Sequence, residues 1–193
     1  MINIGKLVRL LKKTDQLFYL HHDGTHYVGN KYCVYFLDAL APKLKAKLVE
    51  IGFDLDAKEV QTYIPAGKNS TVAPGPKVDA FLSVCTRNQN KACTAYQTTK
   101  LMFYTNGSPA IVCKPLFSAE NVTVLNTDYI APVTVNNKPW LTTTELVRYK
   151  DDPHSPVWIV DGDNDWGIIM PVVCREGENW LRVIREQLTG GDE

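Results

Sequence analysis

The residues best suited to chemistry in this chain are a histidine cluster and an acidic loop. His21, His22 and His26 bracket Asp23-Gly24-Thr25. Imidazole nitrogens suit zinc, but a site needs three or four ligands converging on one point. Adjacent His21 and His22 on a strand face opposite sides, so only one of them can meet His26 across the Asp23-Gly24 turn. An exposed hairpin turn is expected there rather than a metal site. Asp161-Gly162-Asp163-Asn164-Asp165 offers hard oxygen ligands at alternate positions, as calcium requires. A helix–loop–helix calcium site also needs Gly at its sixth position and a bidentate Glu at its twelfth. Here Gly167 comes one place late and Val172 takes the twelfth place, so a solvated hairpin loop is expected.

Nucleophile and phosphate motifs give no further lead. The sequence has no G-x-S-x-G, no G-x-x-x-x-G-K-[ST] and no H-E-x-x-H. His154 sits in a proline-bracketed turn, Asp151–Pro156. Triads are recognised by geometry rather than spacing, so a small enzyme with a spatially assembled site stays as a third reading. The first reading is non-catalytic: no catalytic residue, no metal and no cofactor are expected.

Cations on helices carry more of the argument. Ile4, Leu7, Val8 and Leu11 recur at helical spacing, with Lys6, Arg9, Lys12 and Lys13 largely off that stripe. Leu40, Leu44, Leu48 and Ile51 form a second stripe, opposite Lys43, Lys45 and Lys47. Pro42 fits only a first turn, and Gly52 is a natural stop. Arrays of this kind neutralise phosphates without a sequence-specific motif, although a lysine-rich outer face is also the ordinary solvated face of a helix.

The whole chain bounds these readings. It has 193 residues and 45% hydrophobic content, enough for one sizeable domain or two small ones. Twenty-one basic and 21 acidic residues balance, which argues against a globally basic nucleic-acid binder. The balance is uneven along the chain: residues 1–50 hold eight Lys/Arg against four Asp/Glu, and residues 151–193 hold three against ten. Cys33, Cys85, Cys93, Cys113 and Cys174 are odd in number, with no C-x-x-C pair, and read as buried free thiols in a reducing compartment. Met1–Leu11 is amphipathic and basic rather than a signal sequence, and no apolar run reaches membrane-spanning length, so a cytoplasmic location is expected.

Strands are expected at Leu17–Leu20 and Tyr27–Phe36, then near Val78–Cys85, Ala92–Gln97, Lys100–Tyr104, Ala110–Lys114 and Val122–Leu125. A short helix from Asn126 or Thr127 follows. Strands at Leu146–Tyr149, Val157–Val160 and Gly167–Val173 and a closing helix, Glu178–Leu188, complete the pattern. Residues 65–77, rich in Pro, Gly, Ser and Asn, read as a linker or long loop between an N-terminal region, 1–64, and a C-terminal domain, 78–193. Trp158 alternates with apolar residues and reads as core. Trp140 follows Pro139 in a polar segment and reads as a candidate interface anchor.

Within residues 120–173 the elements also follow a known order. Val124-Leu125-Asn126-Thr127-Asp128-Tyr129-Ile130 resembles the strand and helix start, N-x-x-Y-L/I, of the last domain of bacterial β sliding clamps. Leu146-Val147-Arg148-Tyr149 and Ser155-Pro156-Val157-Trp158-Ile159 are similar to that family's penultimate strands. Asp161–Asp165 stands at its acidic turn. Gly167-Ile168-Ile169-Met170-Pro171-Val172 resembles the closing strand that ends in M-P-x-R, with Val173 in place of the Arg. The resemblance implies an α+β, DNA-clamp-like fold of antiparallel sheets with a few amphipathic helices. It implies DNA contact through Lys6, Arg9, Lys12, Lys13, Lys43, Lys45 and Lys47, and a protein-binding groove at Met170, Pro171 and Val172. Duplex DNA and replication or host proteins are the partners so implied, with a homo-oligomer and without a membrane. The rival reading is a protein-interaction module or inhibitor that works through the acidic C-terminal third and never touches DNA.

Overall fold

The computed structural model describes residues 2–14, 16–66, 70–86, 94–105, 108–115, 122–133, 144–148, 155–172, 184, 186 and 188. Helix α1 (Ile4–Lys13) opens on Asn3, whose side chain accepts from Lys6 N at 3.0 Å and so satisfies an otherwise orphaned donor. It buries Leu7, Val8, Leu10 and Leu11. Lys12 and Lys13 fall in its last turn, where cations oppose the negative end of the helix dipole. Three strands follow in a meander: β1 (Leu17–His22), β2 (Thr25–Asn30) and β3 (Cys33–Leu37). Asp23 and Gly24 both adopt positive φ at the β1–β2 turn, as a two-residue hairpin demands. Tyr27–Phe36, expected as one strand, is divided into β2 and β3. Asn30 Oδ1 accepts from Tyr32 N at 2.8 Å and Cys33 N at 3.0 Å, which turns the chain there.

Helix α2 (Pro42–Ile51) starts on Ala41 without a side-chain cap and ends at Gly52, whose φ of 104° supplies the left-handed stop. Strands β4 (Gln61–Ile64) and β5 (Thr71–Pro74) come next. Part of the segment expected as linker is therefore strand, paired with β4 from Gln61↔Pro74 to Ile64↔Thr71.

Helix α3 (Val78–Cys85) replaces an expected strand. Val78, Phe81, Leu82 and Cys85 recur at i, i+3, i+4 and i+7, and Asp79 favours the helix N-terminus; this period outweighs the β preference of Val and Phe. The remaining strands are β6 (Thr94–Thr105), β7 (Ser108–Pro115), β8 (Thr123–Asn126), β9 (Thr144–Arg148), β10 (Val157–Asp161) and β11 (Asn164–Ile169), with the short helix α4 (Thr127–Ile130) between β8 and β9. The two strands expected within 92–104 form one strand, β6, interrupted by a register shift between Thr98 and Met102. Asn126 caps α4 by accepting from Asp128 N. Ile184, Glu186 and Leu188 are helical, as expected for the closing helix. Cys93, Trp140, His154, Val173, Cys174 and Trp180 lie outside the described residues.

The eleven strands of the described residues form one antiparallel sheet in the order β5-β4-β1-β2-β3-β11-β10-β9-β6-β7-β8. The mixed α/β fold is thus dominated by a sheet more extensive than expected. The order contains an internal repetition. In each half a helix leads into a three-stranded meander, a second helix follows, and the next strand returns to pair with the first strand of the meander (β4 on β1, β9 on β6). The halves meet where β11 pairs with β3, from Gly167↔Tyr35 to Ile169↔Cys33.

The period of two sends alternate residues to opposite faces. One face, with Tyr19, Val28, Tyr35, Leu125, Leu146, Val157, Ile159 and Ile169, forms the main core beneath α1 and α2. The other, with Val34, Phe36, Val147, Trp158, Val160 and Ile168, is covered by Phe81 and Cys85 of α3. Trp158 is core, set edge-on to Phe36. A third cluster, around Ala110, Val112, Val122 and Val124, packs against Val172, Ile184 and Leu188.

Cys33, Cys85 and Cys113 are free and buried. Burial pushes the Cys33 and Cys113 thiols from an ordinary 9.0 up to about 12. The reactive thiolate is then about 1 part in 10⁴ at pH 8. Native protein treated with iodoacetamide should leave Cys33 and Cys113 unmodified, and denaturant should release both. Peptide mapping by mass spectrometry reads the outcome; alkylation of Cys33 in folded protein at the rate of a free thiol would contradict the burial. The same shifts make stability fall as pH rises through 9 towards 12, because the unfolded chain releases thiol protons that the folded chain retains.

Candidate functional site

Helices α1 and α2 pack against each other on the main-core face and turn their polar sides outward. Lys6, Arg9, Lys12, Lys13, Lys43 and Lys45 are exposed there. Lys47 differs: its side chain is 16% exposed and its Nζ lies 2.7 Å from Glu50 Oε1. That hydrogen bond, the Lys47 charge and, more weakly, the Lys12 charge hold the Glu50 carboxyl below its usual range. Lys13 Nζ lies 3.5 Å from Asp128 Oδ2. Both of those side chains are exposed, so the pair holds Lys13 only weakly. Among the described residues, Lys6, Arg9, Lys12, Lys43 and Lys45 make no ion pair within 4 Å. The structure thus leaves six predicted cations exposed on two neighbouring helices and pairs the seventh, Lys47, with Glu50.

The three residues expected at a groove are separated. Met170 lines an apolar cavity of about 260 Å³ on the opposite face, with Pro76, Phe81, Val84, Cys85 and Ile168. Pro171 is half-buried beside it. Val172 donates its N–H to Val124 O at 2.9 Å and packs into the third cluster. Sequence reasoning missed the other wall of this cavity because α3 was read as a strand.

The histidine cluster is a hairpin, with His21 opposite His26 in the register. Their rings stack at 4.2 Å between centroids. Nitrogen lone pairs lie in the ring planes, so stacked rings do not aim them at one point. His26 Nδ1 is 3.0 Å from Tyr19 Oη, and burial, then the neighbouring His21 charge, lowers the His26 pKa. His22 reaches Asp23 at 3.2 Å. Among the described residues no group of three or more His, Cys, Asp or Glu side chains is placed to hold a metal ion. Asp161–Asp165 forms the β10–β11 turn, with Gly162 at positive φ.

Arg148, which sequence reasoning placed in a strand without a role, is 1% exposed. Its Nη1 donates to Tyr96 Oη at 3.1 Å, and the guanidinium lies over the Tyr96 ring. A buried cation next to an aromatic face leaves no pattern in sequence, because both partners sit at ordinary strand positions.

No protein-family model matches the chain, and no curated protein does. Among solved structures, the DNA polymerase sliding clamp from Pseudomonas aeruginosa, crystallised with a ligand, matches over 90% of this chain at 12% identity and a TM-score of 0.35. The chain spans 65% of that clamp's length. That likeness assigns no residue of this chain a role. No described helix is long and apolar enough to cross a membrane.

Proposed function

We propose that this chain is a non-catalytic protein that associates with duplex DNA through the outer sides of α1 and α2, in the manner the 120–173 segment suggests for a clamp-like replication factor. The observation that carries this reading is the set of five exposed cations, Lys6, Arg9, Lys12, Lys43 and Lys45, on two adjacent helices of one face, none within 4 Å of an acidic side chain among the described residues. A ten-residue helix is about 15 Å long. Duplex DNA carries one charge per roughly 1.7 Å, so each cation on the helix has a phosphate within reach. Such contacts position a protein without reading bases, which fits a surface of lysines and arginine with no base-reading motif. The test is retention on a duplex of mixed sequence over a salt series. Binding that falls steeply with salt supports the reading, and absence of retention at low salt removes it.

A second, protein-binding function is favoured by the apolar cavity beside Met170. We propose that it takes a short apolar segment of a partner protein. Val84, 53% exposed on α3, stands at its lining and offers contact area without any unfolding. Selection from a displayed peptide library should enrich sequences with neighbouring apolar residues. Met170→Glu should weaken those peptides at least about tenfold, since a carboxylate in an apolar cavity remains desolvated and unpaired. Peptides that bind this variant as well as the unaltered protein would place the interaction elsewhere.

A further inference from the structure

Beside the C-terminal end of α1 a mixed polar and apolar cleft of about 760 Å³ opens, lined among others by Lys13, Asn30, Lys31, Tyr32, Ile64 and Tyr129. Tyr32 is its unusual feature. The residue is 44% exposed, although its backbone is held from two sides. Asn30 Oδ1 accepts from Tyr32 N, and Tyr32 O accepts from Met170 N at 2.7 Å. A large aromatic ring is therefore presented to solvent on a fixed turn. It lies nearly parallel to Tyr129, 17° between planes and 5.9 Å between centroids, and Lys31 Nζ sits 4.8 Å from its centre. Lys13, from the basic helix face, reaches the same cleft.

We propose that this cleft binds single-stranded nucleic acid, with a base stacked on Tyr32 and the flanking phosphates met by Lys31 and Lys13. The magnitudes favour the exchange. An exposed cation–π contact is worth about 0.5–1 kcal/mol, whereas base stacking on an aromatic side chain is worth about 1–3 kcal/mol. A base can thus displace the Lys31 ammonium from the ring, and the ammonium moves onto a phosphate. Lys13 is equally available, because its pairing with Asp128 is solvent-exposed on both sides. An acidic peptide could use the two lysines, but it has no use for a rigid, flat, exposed ring. This inference rests on the helix-face reading only for the continuity of positive charge from α1 into the cleft.

The test measures oligothymidylate of about 12 nucleotides and a separate duplex, each by fluorescence anisotropy at low salt. Tyr32→Ala should weaken oligothymidylate roughly tenfold, and Tyr32→Phe should retain it, since the ring and not the hydroxyl stacks. Both variants should bind duplex as the unaltered protein does. In the unaltered protein, bromodeoxyuridine placed in the oligonucleotide should photocrosslink to the peptide that contains Tyr32. Oligothymidylate that fails to bind, or that binds Tyr32→Ala undiminished and crosslinks elsewhere, overturns the proposal. So does capture of a poly-glutamate peptide, sensitive to Tyr32→Ala, in place of the oligonucleotide. Loss of duplex binding alone with oligothymidylate retained would overturn the helix-face reading and leave the cleft assigned.

Discussion

Replacing Gly29 or Gly167 by alanine is expected to remove about 3–5 kcal/mol of stability each, a large share of what a domain has. Both glycines press on the same stretch of β3 from opposite sides. A Cβ at Gly29 would lie 2.0 Å from Cys33 O and 2.7 Å from Val34 Cα; at Gly167 it would lie 2.4 Å from Val34 O. These neighbours are backbone atoms and cannot rotate away. Relief requires β2 or β11 to separate from β3, and among the named strands of the described residues β3–β11 is the ladder that joins the two halves of the sheet. Gly167 also sits beside the irregularity where Ile159 pairs with Gly167 and Val160 with Asp165, a place where glycine eases a bulge. Thermal unfolding followed by circular dichroism should show each midpoint lowered by roughly 6–20 °C. Because Val34 is common to both, the double variant should not be additive. Gly5→Ala is the control. It lies within α1, where the nearest atom to a new Cβ is Asn3 Oδ1 at 3.4 Å, so it should gain about 0.5–1 kcal/mol. Unchanged midpoints for Gly29→Ala and Gly167→Ala would mean that β3 is not so closely flanked.

Replacing Lys6, Arg9, Lys12, Lys43 and Lys45 together by glutamine is expected to abolish retention on duplex DNA under the proposed function. Each neutralised phosphate contributes about 0.9 to the slope of log K against log salt. Five such contacts give a slope near −4.5, hence a loss of roughly 10²–10³-fold between 50 and 200 mM salt. A single substitution such as Lys12→Gln should reduce the slope by about 1. Lys47→Gln should do little to the slope, because Glu50 already holds that ammonium. All five exposed side chains can change without touching the core, so circular dichroism should remain that of the unaltered protein. Undiminished binding by the fivefold variant would sink the residue assignment, and an equal effect of Lys47→Gln would sink the argument from ion pairing.

Much of the N-terminal half was legible in the sequence, because its helices announce themselves by period and punctuation. Leu7, Val8 and Leu11 recur at helical spacing, Gly52 ends α2, and Asp23-Gly24 turns a hairpin; each signal acts within a few residues. Local legibility failed where two periods compete. Val78–Cys85 is rich in residues that favour strands, yet Phe81 and Cys85 fall on one helical side and cover Val34, Phe36 and Trp158. The choice between strand and helix was made by that surface, which belongs to strands far away in the chain.

The candidate site divides in the same way. The sequence alone determined that the cations lie off the apolar stripes of α1 and α2, since helix geometry puts residues three or four apart on one side. Only the tertiary structure decided that the two helices share one face, that Glu50 neutralises Lys47 and Asp128 reaches Lys13, and that Met170 parts company with Val172. It also decided that Tyr32 stands exposed beside Tyr129, 97 positions along the chain. Charge and periodicity are properties of neighbours in sequence. Ion pairs, cavities and the pairing of β3 with β11 depend on distances between remote segments, and those are set by how the described strands share one sheet.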